Sequence, residues 1–239
     1  EWFCIKEYLL DRGLNKFKEG AVYALLPTIT LVSRRGLFSG HKEMDRLVPE
    51  NKGFIEHINT HWRGGNEARK GVVLTAPLEW NSVYSDYDHL GIVFNLVDDI
   101  AHSRPIEQGG KRLMQLVLNV QLGESNLMAL ISNLLKAGFK IYITADHGVV
   151  WAHGSGYRED KHLVDTRARR ALIYPNRLLA DDFARGKNIL IYRQPSILGD
   201  RVLAVPKGRE MFAAEGSTAV THGGMHIEEL IIPFVEVLT

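Results

Sequence analysis

The feature that most constrains the fold is the alternation of short strand-like apolar runs with segments of helical periodicity. The strand-like runs are "GVVLT" (71–75), "HLGIVFNLVDD" (89–99) and "FKIYITADHG" (139–148). Apolar spacing typical of helices occupies residues 2–10 and 109–137, and the second pattern ends at Gly138. This alternation predicts an α/β fold with a mostly parallel sheet that carries helices on both faces.

Further elements fit the same pattern. The run "AVYALL" (21–26) predicts a buried strand that stops at Pro27, and a helix is expected after Thr30. Short strands are predicted in "RALIYP", "NILIYR" and "RVLAVP", and "ELIIPFVEVL" predicts either a helix start or a strand.

Composition excludes some classes of protein. Of the 239 residues, 45% are hydrophobic, and the net charge of +1 argues against a strongly electrostatic binder of nucleic acid or membranes. A single cysteine, Cys4, permits neither an internal disulfide nor a cysteine metal cluster. We therefore expect a cytoplasmic protein with no membrane partner. The chain opens mid-pattern without a methionine, so we interpret it as a fragment.

Acidic and imidazole side chains follow several of the apolar runs. They are Asp98, Asp99 and His102, then Asp146 and His147, then His222 and His226. Ligands of open α/β sheets bind at the carboxyl ends of strands, which is where these groups are expected. Mixed Asp and His donors favour zinc or manganese over calcium.

Each group also has a structural explanation. Asp98 fits a helix N-cap, His102 a surface histidine, Asp146 a capped turn, and His222 a loop residue. Three such groups in one chain indicate a ligand-binding site more strongly than any one of the groups does.

The turn "PTIT" (27–30) places Thr30 at the start of a predicted helix. A threonine hydroxyl is a weak nucleophile unless a metal or a base activates it, and a helix N-terminus favours a bound phosphate. Arg34 and Arg35 lie about one turn further along. The alternative makes Thr30 an N-cap and the two arginines part of a solvated face.

The ordered set "PTIT…SG", "DDIAH", "TADHG" and "THGG…EELIIP" resembles the PglZ domain of the alkaline phosphatase superfamily, from about residue 2 to the end. The resemblance implies a single domain over residues 1–239, two divalent metals, usually zinc, and a threonine or serine nucleophile that is transiently phosphorylated. It also implies a role in bacteriophage-exclusion defence alongside other defence proteins.

The resemblance assigns roles residue by residue. Thr30 matches the nucleophile, with Gly40 ten residues later. Asp98, His102 and His222 match the ligands of one metal, although Ala101 replaces the family's glycine.

Asp146 and His147 match ligands of the second metal, which Thr30 would also contact. The family places one more aspartate on a first strand, before the nucleophile turn. Asp11 lies inside the first predicted helix, which is expected to end at Gly13, so we expect that strand and its aspartate upstream of Glu1. The second site would then be incomplete and the fragment inactive.

The segment between the last two motifs is basic and the least family-like. Residues 158–209 contain twelve Lys or Arg and six Asp or Glu, a net charge of +6. The segment could steer a polyanion such as nucleic acid, or form a solvated face or a partner surface.

These features together predict a metal-dependent phosphoesterase that hydrolyses a phosphomonoester or phosphodiester, such as a nucleotide. One alternative function is a sulfatase or phosphomutase on the same scaffold. A sulfatase needs a modifiable cysteine or serine, and Cys4 is far from the turn that contains Thr30. The other alternative function is a non-catalytic scaffold that binds nucleic acid or a defence partner.

Overall fold

A computed structural model describes residues 2–62, 68–76, 79–103, 117 and 119–238. They form two compact units. The first comprises Glu1–Val22, Phe54–Thr144 and Pro233–Thr239, and the second comprises Tyr23–Gly53 and Ala145–Ile232. The single domain predicted over residues 1–239 stays a prediction.

The helices of the described residues are α1 (Trp2–Leu10), α2 (Thr30–Ser39), α3 (Glu50–His61), α4 (Leu96–Ser103), α5 (Leu127–Lys136), α6 (Arg177–Ala184), α7 (Pro195–Leu198) and α8 (Ile227–Leu230). Short 3-10 turns occupy Met44–Arg46 and Ser82–Asp86. Among these helices, none combines the length and the apolar character needed to cross a membrane.

The strands are β1 (Phe17–Tyr23), β2 (Gly71–Thr75), β3 (His89–Val93), β4 (Ile141–Thr144), β5 (Val150–Gly154), β6 (Thr166–Arg167), β7 (Leu172–Tyr174), β8 (Ile189–Tyr192), β9 (Val202–Pro206), β10 (Glu210–Met211), β11 (Thr218–Thr221) and β12 (Ile231–Val237).

The first unit contains the sheet β1-β12-β4 and the parallel pair β2-β3. Strand β12 runs antiparallel to β4, with Phe234 opposite Thr144. Its core contains Tyr8 and Leu9 of α1 packed with Leu122 and Ile131. Of the apolar residues that the spacing predicts to face the core, Leu9 is buried and Trp2 and Ile5 pack against the cluster, whereas Phe3 and Leu10 are exposed.

The second unit contains the sheets β6-β7-β9-β8 and β10-β5-β11. The four-stranded sheet is buried on both faces, because alternate residues of a strand point to opposite sides. Leu172 and Tyr174 pack on the side of α6, whereas Ile173 packs with Leu198 of α7 on the other. Strand β9 is buried at every position, which explains its uninterrupted apolar sequence.

The predicted α/β class holds, but the described strands do not form a mostly parallel sheet. Every pairing in β6-β7-β9-β8 is antiparallel, and β10-β5-β11 is mixed. The connections between β6 and β7 and between β8 and β9 are shorter than the dozen or more residues that a parallel crossover needs.

Three element predictions need correction. The strand near "AVYALL" covers Phe17–Tyr23 instead, and most of it is exposed rather than buried. Strand β3 ends at Val93 and the chain continues as α4, because Leu96 and Ile100 recur at helical spacing and both turn toward the interior. Asp98 and Asp99 therefore lie in the first helical turn, where the helix dipole favours acids.

The helix predicted over 109–137 is interrupted. Residues 119–124 are helical, and a turn at 125–126 separates them from α5. Asn126 has a left-handed φ of 55°, which a continuous helix cannot accommodate. Residues 104–116 and 118 lie outside the described part of the chain.

Candidate active site

The predicted nucleophile begins a helix in the second unit. Thr30 is the first residue of α2, and its side chain is partly buried. The Thr30 Oγ1 lies 2.9 Å from the Nε2 of His147. Because the first N–H groups of a helix have no partner within it, this hydroxyl stands at a site that favours an anion.

The second hydrogen bond of His147 defines which of its nitrogens carries the proton. His147 is buried, with 6% of its surface exposed, and its Nδ1 lies 3.1 Å from the carbonyl oxygen of Gly148. A carbonyl only accepts, so Nδ1 donates and Nε2 carries the lone pair. In this tautomer the Thr30 hydroxyl donates its proton toward His147 Nε2, which is the geometry of an activated nucleophile.

His222 is oriented in the same way. Its Nδ1 donates to the backbone carbonyl of Thr28 over 2.8 Å, which leaves the lone pair on Nε2. Its ring stacks on that of His147, with centroids 3.9 Å apart and an angle of 14° between the planes. The ring nitrogens of these two residues lie within 4.8 Å of one another.

Asp146 is held by Arg34, one of the two arginines that the alternative interpretation of the turn assigned to a solvated face. The Nε of Arg34 donates to Asp146 Oδ2 over 3.0 Å, and both side chains are largely buried. Arg34 is four residues beyond Thr30, so both project from the same side of α2. One of the two predicted arginines therefore belongs to the site instead of a solvated face.

Thr28 has a structural role. Its side chain is fully buried, and its Oγ1 donates to the carbonyl of Gly224 over 2.8 Å. The same oxygen accepts from the N–H of Gly223 over 3.1 Å. The hydroxyl of Thr28 thus ties the turn that carries Thr30 to the loop that follows His222.

The backbone of Gly148, the residue after His147, packs closely against the backbone of residues 228 and 229 and so fixes the position of His147. A Cβ on Gly148 would lie 2.0 Å from the carbonyl oxygen of Glu228, and the Gly148 N–H donates to the Glu229 carbonyl over 2.9 Å. Only glycine fits there. His226, the other imidazole of the third motif, caps α8 by accepting from the N–H of Glu228, so it has a local structural role.

The structure thus brings Thr30, Asp146, His147 and His222 together within the second unit. Asp98 belongs to the first unit, in α4, and the side chain of His102 lies outside the described residues. Positions 98 and 102 share one face of α4, because residues four apart are neighbours on a helix. Their joint binding of a metal stays a prediction.

The donor set of the second unit fits a divalent metal. Metal-binding histidines usually donate one ring N–H to a carbonyl or carboxylate, which orients the other nitrogen toward the ion. Both His147 and His222 meet this condition. The Asp146 Oδ2 lies 3.8 Å from His147 Nε2. Imidazole and carboxylate donors are of the type that zinc and manganese accept.

Comparisons with known proteins identify the family and the fold. The family model of the BREX system PglZ alkaline phosphatase-like domain matches residues 4–237. The alkaline phosphatase-like protein BrxZ of Escherichia coli O9:H4 (strain HS) is 25% identical over 107 residues. That match covers 42% of this chain and 12% of BrxZ, so the chain corresponds to a small part of that protein.

Solved structures of ectonucleotide pyrophosphatase/phosphodiesterase 5 share the fold. The human protein aligns with a TM-score of 0.57 at 13% identity, covering 96% of this chain and 82% of its own. The murine protein gives 0.54 at 14% identity, covering 96% and 84%. The fold is therefore alkaline phosphatase-like.

Proposed function

Because the chain belongs to the family of BREX system PglZ alkaline phosphatase-like domains, as its ordered motifs predict, we propose that it is a metal-dependent phosphoesterase with Thr30 as nucleophile. The observation that carries the proposal is the hydrogen bond from Thr30 Oγ1 to His147 Nε2 at the N-terminus of α2.

The residues of the site have distinct tasks in this reaction. The hydrogen bond to His147 Nε2 places Thr30 Oγ1 at the start of α2. Because the same lone pair of Nε2 would bind the metal, the hydroxyl proton passes to water as Oγ1 attacks phosphorus. A bond forms between Oγ1 and phosphorus, the bond to the ester oxygen breaks, and the departing alcohol takes up a proton. Water then cleaves the phosphothreonine. The N–H groups that open α2 stabilise charge on the phosphoryl oxygens.

Two metal sites complete the proposal. Asp98, His102 and His222 would hold one ion, and Asp146 and His147 the other, with zinc the first choice and manganese the second. When bound, such ions lower the pKa of a coordinated hydroxyl and neutralise phosphoryl oxygens. Arg34 orients the carboxylate of Asp146 for this purpose, because the Nε hydrogen bond fixes one of its oxygens.

We further propose a phosphate-ester substrate, such as a nucleotide or nucleic acid, and a cytoplasmic role in phage defence with other proteins of a BREX system. The match to BrxZ and the family supports the defence role. The excess of basic residues in 158–209 supports a polyanionic substrate, although Arg170 and Arg209 are paired with Glu229 and Glu228 outside the segment.

Turnover of two chromogenic esters by the intact parent protein tests the activity. Bis(p-nitrophenyl) phosphate reports diesterase and p-nitrophenyl phosphate monoesterase activity, each with zinc, with manganese and after chelation. We expect metal-dependent release of nitrophenol and a loss of at least ~10³-fold in Thr30→Ala. Bound metal without turnover of either ester would favour the non-catalytic scaffold, and full activity of Thr30→Ala would refute the nucleophile.

A further inference from the structure

A fully buried ion pair lies behind the loop that carries His222. Arg170 and Glu229 are 1% and 0% exposed. The Arg170 Nε donates to Glu229 Oε1 over 2.9 Å, and Nη2 donates to Oε2 over 3.1 Å. This bidentate geometry fixes the planes of both groups relative to each other.

The carboxylate of Glu229 holds the loop through two further hydrogen bonds. Oε1 accepts from the N–H of Gly224, and Oε2 accepts from the N–H of His226, each over 2.8 Å. A carboxylate has about four acceptor positions, and these two bonds with the two from Arg170 occupy them. Gly224 also has no room for a side chain, since a Cβ would lie 2.9 Å from Oε2 and 3.0 Å from Arg170 Nη2.

Arg170 is fixed from its other side by two backbone carbonyls. Its Nη2 donates to Gly208 over 3.0 Å, and its Nη1 donates to Glu210. Arg170 and Gly208 both belong to the basic segment 158–209. This segment, the least family-like part of the sequence, therefore supplies the cation that anchors the loop.

A continuous series of hydrogen bonds connects this pair to the His222 ring. The Gly224 N–H bonds to Glu229, and the Gly224 carbonyl accepts from Thr28 Oγ1. The carbonyl of Thr28 in turn accepts from His222 Nδ1. The orientation of the ring thus depends on where Glu229 places the loop.

We propose that Arg170 and Glu229 are a positioning pair for His222: they hold the loop so that Nδ1 donates to Thr28 and Nε2 is presented as a ligand. The ring orientation stands on the hydrogen bonds alone, whereas its value for metal binding rests on the proposed function. Removing one partner would leave a buried charge unpaired, so the loop would relax around it.

Three variants separate positioning from stability. Glu229→Gln keeps the shape but cannot accept all four hydrogen bonds. The double variant R170M/E229L replaces the ion pair with apolar side chains, a change that often preserves stability, yet it also removes both acceptors for the loop. The control is Glu228→Gln, because Glu228 is the neighbouring residue and its side chain is 45% exposed. Its carboxylate pairs with Arg209 and lies 3.8 Å from His226 Nδ1, and among the described residues it forms no hydrogen bond or ion pair with Arg170 or Gly224.

Two readouts are measured on the folded proteins, well below their melting temperatures. Histidine side-chain ¹⁵N–¹H NMR of metal-free protein reports the Nδ1–H of His222, and titration of zinc against a chromophoric chelator reports affinity. We expect loss of the protected His222 Nδ1–H signal and a 10- to 100-fold weaker affinity in Glu229→Gln and in R170M/E229L. The double variant contains no unpaired buried charge, but it should still melt below the wild type, because the N–H groups of Gly224 and His226 lose their acceptor, and it should regain neither property.

A wild-type His222 signal in a folded R170M/E229L protein would overturn the positioning role and leave the pair a purely structural element. His222→Gln serves as the independent check of the proposed function. If His222→Gln binds zinc as tightly as the wild type, the metal assignment fails, while the NMR result still decides whether the pair positions the ring.

Discussion

Replacing Thr28 with valine should separate the structural threonine of the turn from the proposed nucleophile. Valine has the shape of threonine without its hydroxyl. In Thr28→Val, the carbonyl of Gly224 and the N–H of Gly223 lose their partner in a site where Thr28 is 0% exposed. Two buried backbone groups are then left unsatisfied.

The expected magnitude follows from those two groups. At about 1–2 kcal/mol for each unsatisfied group, the variant should lose about 2–4 kcal/mol of stability. For a chain of this size, each kcal/mol lowers the melting temperature by about 2–4 °C, which corresponds to a fall of about 4–16 °C. Thr30→Val should change stability by less than ~1 kcal/mol, because Thr30 is partly exposed and water can replace its hydroxyl.

Calorimetry measures the two melting temperatures, and amide hydrogen exchange at Gly223 reports the local loss. We expect faster exchange at Gly223 in Thr28→Val only, and loss of turnover without loss of stability in Thr30→Val. If Thr30→Val is the more destabilised variant, or if Thr28→Val melts as the wild type does, the division of roles within this turn is wrong.

Two further predictions concern the surroundings of the site. Arg34→Gln should bind zinc about tenfold more weakly, because the Nε hydrogen bond that orients the largely buried carboxylate of Asp146 is lost. Tighter binding in a calorimetric titration would mean that Arg34 competes with the metal instead of orienting its ligand. Gly148→Ala should lower the free energy of unfolding by more than ~3 kcal/mol, because its Cβ would lie 2.0 Å from the Glu228 carbonyl oxygen. The control Gly123→Ala, which has nothing within 4 Å of its Cβ, should be neutral or stabilising in urea unfolding, and equal effects of the two variants would contradict the close approach at Gly148.

Apolar periodicity and turn residues in the sequence correctly predicted several helices and strands. The helix after Thr30, the strands β2, β4, β7, β8 and β9, and the end of α5 near Gly138 follow from periodicity and turn residues. The point at which "HLGIVFNLVDD" changes from strand to helix was missed, because a short apolar run satisfies both periods until packing selects one.

The site could be predicted only in part, for a different physical reason. Thr30, Asp146, His147 and His222 stand out because their residue types and motif order are visible in the sequence. Their supports are not visible. Arg34 is 112 residues from Asp146 and Arg170 is 59 from Glu229, so no local spacing marks either pair.

Sheet direction was missed for a related reason. The basic segment contributes β6, β7, β8 and β9, and the continuous apolar runs of β7, β8 and β9 are compatible with parallel or antiparallel pairing. Only the short connections between neighbours distinguish the two, because they cannot span a parallel crossover.

Covalent trapping tests the central claim most directly. The intact protein, supplied with zinc, is mixed with p-nitrophenyl phosphate or its diester, quenched in acid within milliseconds, digested and analysed by mass spectrometry. The account predicts a phosphoryl group, or a nitrophenyl phosphoryl group from the diester, on Thr30, absent in Thr30→Ala and after chelation of the metal. A phosphorylated residue elsewhere, or turnover at the wild-type rate in Thr30→Ala, would contradict it.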